Sequence, residues 1–220
     1  MLGRELLHLV DHTVLKAITT WADIEKLCEE ALTYDTASVC IPPSYVKRVS
    51  EVFPDLTICT VIGFPLGNQT TFTKIMETKQ AILDGAGEID MVINVGDVKN
   101  NDFPNVLDEI RQIKAVCEDR ILKVIIETCY LTEGEIIEMS KIVSDSGADY
   151  IKTSTGFGTA GATLENVYLM KANSDSHLKI KAAGGIRTIE DMVAYAEAGC
   201  DRIGASIAVD LLKDKLDVEL

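Results

Sequence analysis

Lys152 closes a short apolar run and opens the stretch Thr153-Ser154-Thr155-Gly156, which continues rich in Gly and Thr to about Ala162. A neutral lysine amine can add to a carbonyl and form an imine, whereas the ammonium form can only bind anions. A single lysine at a strand end is ordinarily a snorkelling side chain. Lys152 has company, because His177-Leu178-Lys179-Ile180-Lys181-Ala182 places Lys181 on the next apolar run. If the two runs are neighbouring barrel strands, about 4.8 Å apart, the two ammonium groups disfavour each other's charge. That serves imine chemistry: lowering a lysine from its ordinary pKa of ~10.4 to about 7–8 needs roughly 4 kcal/mol, which a neighbouring cation and partial burial can supply. Lys179 shares the parity of Lys181 but lies deeper and reads as structural.

An acid in an apolar strand is the third candidate. Asp90 sits inside Glu88-Ile89-Asp90-Met91-Val92-Ile93-Asn94, and a buried carboxylate needs a partner. It is either one half of a plain ion pair with an inward lysine or, in the same pair, a carrier of protons during imine formation and carbon–carbon cleavage. The turn Ala182-Ala183-Gly184-Gly185-Ile186-Arg187 and the later Gly204-Ala205-Ser206 combine small residues with free backbone N–H groups. Such turns at the last two strand ends are where many barrels hold phosphate, so Gly184, Gly185 and Ser206 are candidate phosphate contacts. Ordinary turn chemistry is the competing reading. Asp11 and Thr13, in Asp11-His12-Thr13, and Cys40 end the first two runs and are further candidate substrate contacts. For Cys40 the alternative is an inert buried thiol. Lys123 and Glu127 share a face of the fifth run and read as an internal polar network. The three histidines are scattered without zinc-like spacing, so no metal and no other cofactor is expected.

These residues must be positioned by repeating elements. Strand-like runs fall at about 7–11, 37–41, 57–62, 88–94, 121–127, 149–152, 178–182 and 201–204. Amphipathic stretches lie between them. Thr20-x-x-Asp23, Thr132-x-x-Glu135 and Thr188-x-x-Asp191 are capping boxes that start three of the helices, satisfying free N–H groups at each N-terminus. Eight βα units predict a closed TIM (β/α)8 barrel forming a single domain over residues 1–220. An open doubly wound sheet shares these periodicities. The polar residues nevertheless gather at strand ends, which in a barrel converge on one mouth, the usual active-site face.

The whole chain agrees with that reading. Its 220 residues are 47% hydrophobic but only 5% aromatic, as an aliphatic core between parallel strands and helices requires. The formal net charge of -14 repels nucleic-acid phosphates and anionic membrane surfaces, so neither partner is expected. No apolar run reaches the ~18 residues of a membrane span. Six cysteines without a C-x-x-C pair read as reduced core residues and predict a cytoplasmic protein.

In order along nearly the full chain, Asp11-His12-Thr13, Ser38-Val39-Cys40, Thr60-Val61-Ile62-Gly63-Phe64-Pro65-Leu66-Gly67, the Asp90 strand, Lys123-Val124-Ile125-Ile126-Glu127-Thr128, the Lys152 loop and Lys181-Ala182-Ala183-Gly184-Gly185-Ile186-Arg187 resemble the motifs of the deoxyribose-phosphate aldolase family. The resemblance implies reversible cleavage of 2-deoxy-D-ribose 5-phosphate to acetaldehyde and D-glyceraldehyde 3-phosphate. It assigns Lys152 as the Schiff-base lysine, Lys181 as the lysine that lowers its pKa, Asp90 as the proton-relay acid, and Gly184, Gly185 and Ser206 as phosphate ligands. A small phosphorylated sugar and aldehydes are then the partners, with a homodimer as a family-level expectation. The chain departs from the family at Ile207, where a second small or polar residue often follows the serine. Two other functions share the same residues: a Schiff-base lyase for a different aldehyde, and a sugar-phosphate-binding barrel in which the lysines and Asp90 are only an ion network.

Overall fold

A computed structural model describes all 220 residues. Eight strands form a closed parallel barrel in sequence order: Val10–Thr13 (β1), Ser38–Ile41 (β2), Ile58–Ile62 (β3), Glu88–Val92 (β4), Ile121–Ile125 (β5), Tyr150–Lys152 (β6), Lys179–Ala183 (β7) and Arg202–Ala205 (β8). Closure is through β1 and β8, with Asp11 opposite Gly204. The helices between strands cover the outside, and the three expected capping boxes form, each threonine accepting from the backbone of Asp23, Glu135 or Asp191.

Three strands differ from expectation by more than one residue at an end. The first strand, expected over 7–11, starts at Val10, because Gly3–Leu7 is a short helix that buries Leu6 and Leu7. That helix is tied to the end of the chain by Gly3 N–H donating to the Val218 carbonyl. Strand four, expected over 88–94, stops at Val92, and Asn94 instead caps a helical turn by accepting from Gly96 N–H. Strand five, expected over 121–127, stops at Ile125, and Glu127 turns into the left-handed region at φ 52°.

Period-two alternation sorts the strands into two chemistries. Outward residues such as Val39, Ile41, Ile89, Met91, Leu122, Val124, Ile151, Ile180 and Ile203 join a core cluster of 47 buried residues shared with the helices. Inward residues are largely polar: Asp11, Ser38, Glu88, Asp90, Lys123, Lys152 and Lys181 are all buried. Barrel interiors are usually packed with branched aliphatic side chains; here an ionic cluster fills the space.

One buried ion pair outside the barrel fixes the site's frame. Lys74, on the helix Thr71–Leu83, pairs with Glu109 on the helix Phe103–Cys117 at 2.8 Å and donates to the carbonyl of Val92 at 2.8 Å, holding the end of β4. Burial pushes the Lys74 ammonium below its ordinary pKa and the Glu109 carboxyl above its own, against the pull of each on the other. Desolvation therefore outweighs attraction in this pair. Lys74→Ala should destabilise the fold by about 3–5 kcal/mol, because Glu109 is left buried without a counter-charge. The double replacement Lys74→Met with Glu109→Leu should lose much less. Urea unfolding midpoints of both variants check this, and equal losses would contradict it.

Candidate active site

The inward charges form one connected network. Asp90 Oδ2 accepts from Lys152 Nζ at 2.7 Å and from Lys181 Nζ at 2.8 Å, while Oδ1 accepts from Lys123 Nζ at 2.9 Å and from the Cys59 thiol at 3.1 Å. Asp11 receives Lys181 at 2.5 Å, Arg202 at 2.6 Å and the Ser38 hydroxyl at 2.8 Å. Glu88 completes the set, 2.6 Å from Lys123 and 3.0 Å from Arg202. Three carboxylates thus meet four cations. Lys123, Lys181 and Arg202 each touch two or more of the acids, whereas Lys152 touches Asp90 alone.

Burial by itself pushes the Asp90 and Asp11 carboxyls up, but the surrounding lysines, with Arg202 at Asp11, hold both well below the usual carboxylate range. Burial likewise pushes Lys181 and Lys123 down, and the adjoining carboxylates more than offset it, so both stay above the ordinary lysine value. The expectation that Lys152 and Lys181 simply face each other as two cations is therefore incomplete. A shared carboxylate lies between them.

Above this network opens a cavity of about 670 Å³ lined by Thr13, Lys152, Gly184, Gly185 and Ser206, among others. Its walls are fixed by backbone contacts between the loops after β6 and β7: the Thr153 hydroxyl takes the Ala183 N–H at 3.1 Å, and Ala162 N–H donates to the carbonyls of Ala183 and Gly184. Gly184 and Gly185 have φ of 84° and 77°, a region open to glycine and strained for other residues. A side chain at Gly204 would press on Ala183 and, at 3.3 Å, on Lys181 Cε. Small residues there leave room for the lysine.

Not every expected contact reaches this cavity. Asp90 and Lys181 lie directly beneath Lys152, but Asp11 and Cys40 are wholly buried and do not line the space. Asp11 is enclosed by its three donors, and Cys40 packs with Cys59 and Val61 beneath Leu15 and Phe64. Both are expected to touch substrate; in this structure both are buried and neither lines the cavity. Lys179, read as structural, is exposed at the start of β7, with its ammonium 5.5 Å from the Tyr150 ring.

A family model described as DeoC/LacD family aldolase matches residues 6–213. The chain belongs to this aldolase family. A deoxyribose-phosphate aldolase of Clostridium botulinum (strain Alaska E43 / Type E3) is 58% identical over 214 residues, 97% of each chain. One from Clostridioides difficile (strain 630) is 56% identical over 213 residues, 96% of this chain and 97% of that one. Among solved structures, a tetrameric deoxyribose phosphate aldolase from Aeropyrum pernix superimposes with a TM-score of 0.90 at 29% identity, covering 96% of this chain and 91% of that one. An aldolase named QR15 gives 0.92 at 37% identity, with 96% and 95% covered.

Within the DeoC/LacD frame, Glu88 and Arg202 are the network members that sequence reasoning did not select. Glu88 lies two residues before Asp90 on the same strand face, so alternation alone could have flagged it. The ligand atoms of Cys40, Cys59 and Asp90 come within 4.8 Å of one another. Three ammonium groups already surround that acid, and they would repel a cation. No helix is long and apolar enough to cross a membrane.

The network sets a pH window for stability. The depressed carboxyls stabilise the fold above their unfolded pKa of ~3.9, and that contribution is lost as pH falls below it. The raised lysines stabilise it below their unfolded pKa of ~10.4, and theirs is lost as pH climbs beyond. Asp90→Asn should lower stability near neutral pH by about 3–5 kcal/mol, since Lys123, Lys152 and Lys181 lose a shared counter-charge. It should also flatten part of the acid-side decline. Urea midpoints from pH 3 to 8 check this; a variant that follows the parent throughout would contradict it.

Proposed function

We propose that this protein is a Schiff-base aldolase that reversibly cleaves 2-deoxy-D-ribose 5-phosphate to acetaldehyde and D-glyceraldehyde 3-phosphate. The observation that carries the reading is Lys152, the one network lysine that lines the cavity and the one held by a single carboxylate. In its neutral form its amine attacks the open-chain sugar's aldehyde carbon, and the carbinolamine takes up a proton and loses water to give a protonated imine. That cation draws the electrons of the C2–C3 bond, one bond beyond the imine carbon C1, as the hydroxyl proton on C3 is removed. D-Glyceraldehyde 3-phosphate leaves, and the remaining enamine is protonated and hydrolysed to acetaldehyde.

Asp90 is suited to carry protons, because one of its oxygens touches both Lys152 and Lys181. Lys181 occupies this acid and so weakens its hold on the ammonium form of Lys152. Arg187 and Lys16 at the cavity wall, with the backbone N–H groups of Gly184 and Gly185 and the Ser206 hydroxyl, offer the local donors a phosphate needs on a chain of net charge -14. Thr13 faces the same space and is a candidate contact for the sugar hydroxyls. Six unpaired cysteines support a reducing, cytoplasmic setting.

Assay of glyceraldehyde 3-phosphate release from 2-deoxyribose 5-phosphate tests the reaction and its phosphate site together. Ser206→Ala should raise KM several-fold, the equivalent of about 1 kcal/mol for one hydrogen bond. Gly185→Val should abolish saturation, since a branched side chain at φ 77° both strains the turn and fills the approach to its N–H. Parental kinetics in both variants would place phosphate binding elsewhere, and no cleavage by the parent would refute the reaction.

A further inference from the structure

Glu127 is a buried carboxylate that stands outside the ionic network. Only 3% exposed, it accepts from Thr155 N–H at 3.1 Å, from the Thr155 hydroxyl and weakly from the Cys129 thiol, all of them neutral donors. Lys123, which shares its face by spacing, turns to Asp90, Glu88 and Asp11 instead. A carboxylate taken out of water without a counter-charge costs stability. The backbone adds a second cost, since φ 52° lies in the left-handed region. Asp35, Asn101 and Glu118 share that region, but they are exposed, at or just beyond helix ends. Two costs at one buried residue, beside the loop that follows Lys152, point to a functional demand.

The chain around Glu127 grips the end of β6. Ile126 N–H donates to the Lys152 carbonyl at 3.1 Å, and Thr128 N–H to the Thr153 carbonyl at 2.9 Å. Between these two bonds the left-handed turn directs the Glu127 side chain to the same segment, where it takes both donors of Thr155. The Thr155 hydroxyl oxygen in turn accepts Phe157 N–H at 3.0 Å. The Phe157 ring then meets Phe64, from the loop after β3, edge-to-face with centroids 5.3 Å apart. A side chain at Gly158 would come within 3.2 Å of the Glu127 carboxyl carbon, so the loop folds closely over it. Residues 152, 153 and 155 are thus tied to 126, 128 and 127, and Lys152 and Thr155 both line the cavity.

We infer that Glu127 is a positioning residue for the reaction at Lys152, fixing the β6 loop so that the amine and the cavity wall beside it keep one geometry through imine formation and bond cleavage. The inference rests on the aldolase reading above. Gly184, Gly185 and Ser206, the candidate phosphate contacts, follow β7 and β8 on other loops. Holding the substrate and aligning it at Lys152 are therefore separable, and Glu127 serves the second. Misplacing reacting groups by about 1 Å can cost on the order of a hundredfold in rate.

The test measures kcat and KM for 2-deoxyribose 5-phosphate, with urea unfolding midpoints, in Glu127→Met, Glu127→Gln and Thr155→Val. Glu127→Met keeps the side chain's bulk and removes both acceptor oxygens. It should lower kcat by roughly tenfold to a hundredfold while KM moves less than about twofold, because slow chemistry makes KM report binding. Glu127→Gln drops the charge but keeps an acceptor for Thr155 N–H, and should restore kcat to within about threefold of the parent. Thr155→Val, isosteric but without the hydroxyl that reaches Glu127, should show the split of Glu127→Met to a lesser degree. Parental kcat in both Glu127→Met and Thr155→Val overturns the assignment, even where their unfolding midpoints fall. So does a rise in KM at unchanged kcat, or a Glu127→Gln variant as impaired as Glu127→Met. Absence of cleavage by the parent would instead overturn the aldolase reading.

Discussion

The carboxylate of Asp90, shared by three buried lysines, is the interaction on which the rest of the site depends. Removing a charge from water costs several kcal/mol per ion, and mutual attraction offsets that only when geometry and remaining hydrogen bonds are good. The barrel meets the condition by closing the network on itself: Lys123 continues to Glu88, Glu88 to Arg202, Arg202 to Asp11, and Asp11 back to Lys181. Only Lys152 ends the chain of contacts, and it ends at the cavity. An arrangement that is fully paired below and open at one amine above both stabilises the interior and leaves one nitrogen available for chemistry.

The fold serves this arrangement through alternation and anchoring. Parallel strands put every second residue inside, so Asp90, Lys123, Lys152 and Lys181 arrive there while Ile89, Val124, Ile151 and Ile180 pack against helices. Strand ends are then held from outside, as at Val92 by Lys74. The glycines of the β6 and β7 loops allow the backbones to close on each other and keep side chains out of the mouth. The mouth sets Lys16, Lys26, Lys152 and Arg187 against Asp23, Glu30 and Asp210, a far more even balance than the chain's net charge of -14. Within a Debye length of roughly 8 Å at physiological salt the local donors dominate, while more distant surface charge is screened.

Much of this was legible in the sequence because period two reports parity. Lys152, Lys181 and Asp90 stand out as charges in apolar runs, and the glycine pairs mark the turns beside them. Depth is a different matter. Asp11 and Cys40 share the inward parity of real cavity residues, yet Arg202 and Ser38 enclose the first and Leu15 and Phe64 cover the second. Those neighbours come from other strands and loops, and no local pattern reveals them. The same holds for the pairing of Glu88 with Arg202 across the barrel, and for Glu127, whose left-handed backbone carries it off the strand that its spacing suggests. The first strand was misplaced because Leu6 and Leu7 are as apolar as strand residues but are buried by a helix.

The central claim is that the geometry singles out Lys152 among the buried lysines as the nucleophile. Incubation with acetaldehyde and borohydride, followed by peptide mass spectrometry, tests it directly, because reduction turns the imine into a stable secondary amine. The account predicts one ethyl group per chain, on Lys152, in the peptide that contains Thr153-Ser154-Thr155. Labelling of Lys181 or Lys123 instead, or no label on folded protein, would contradict it.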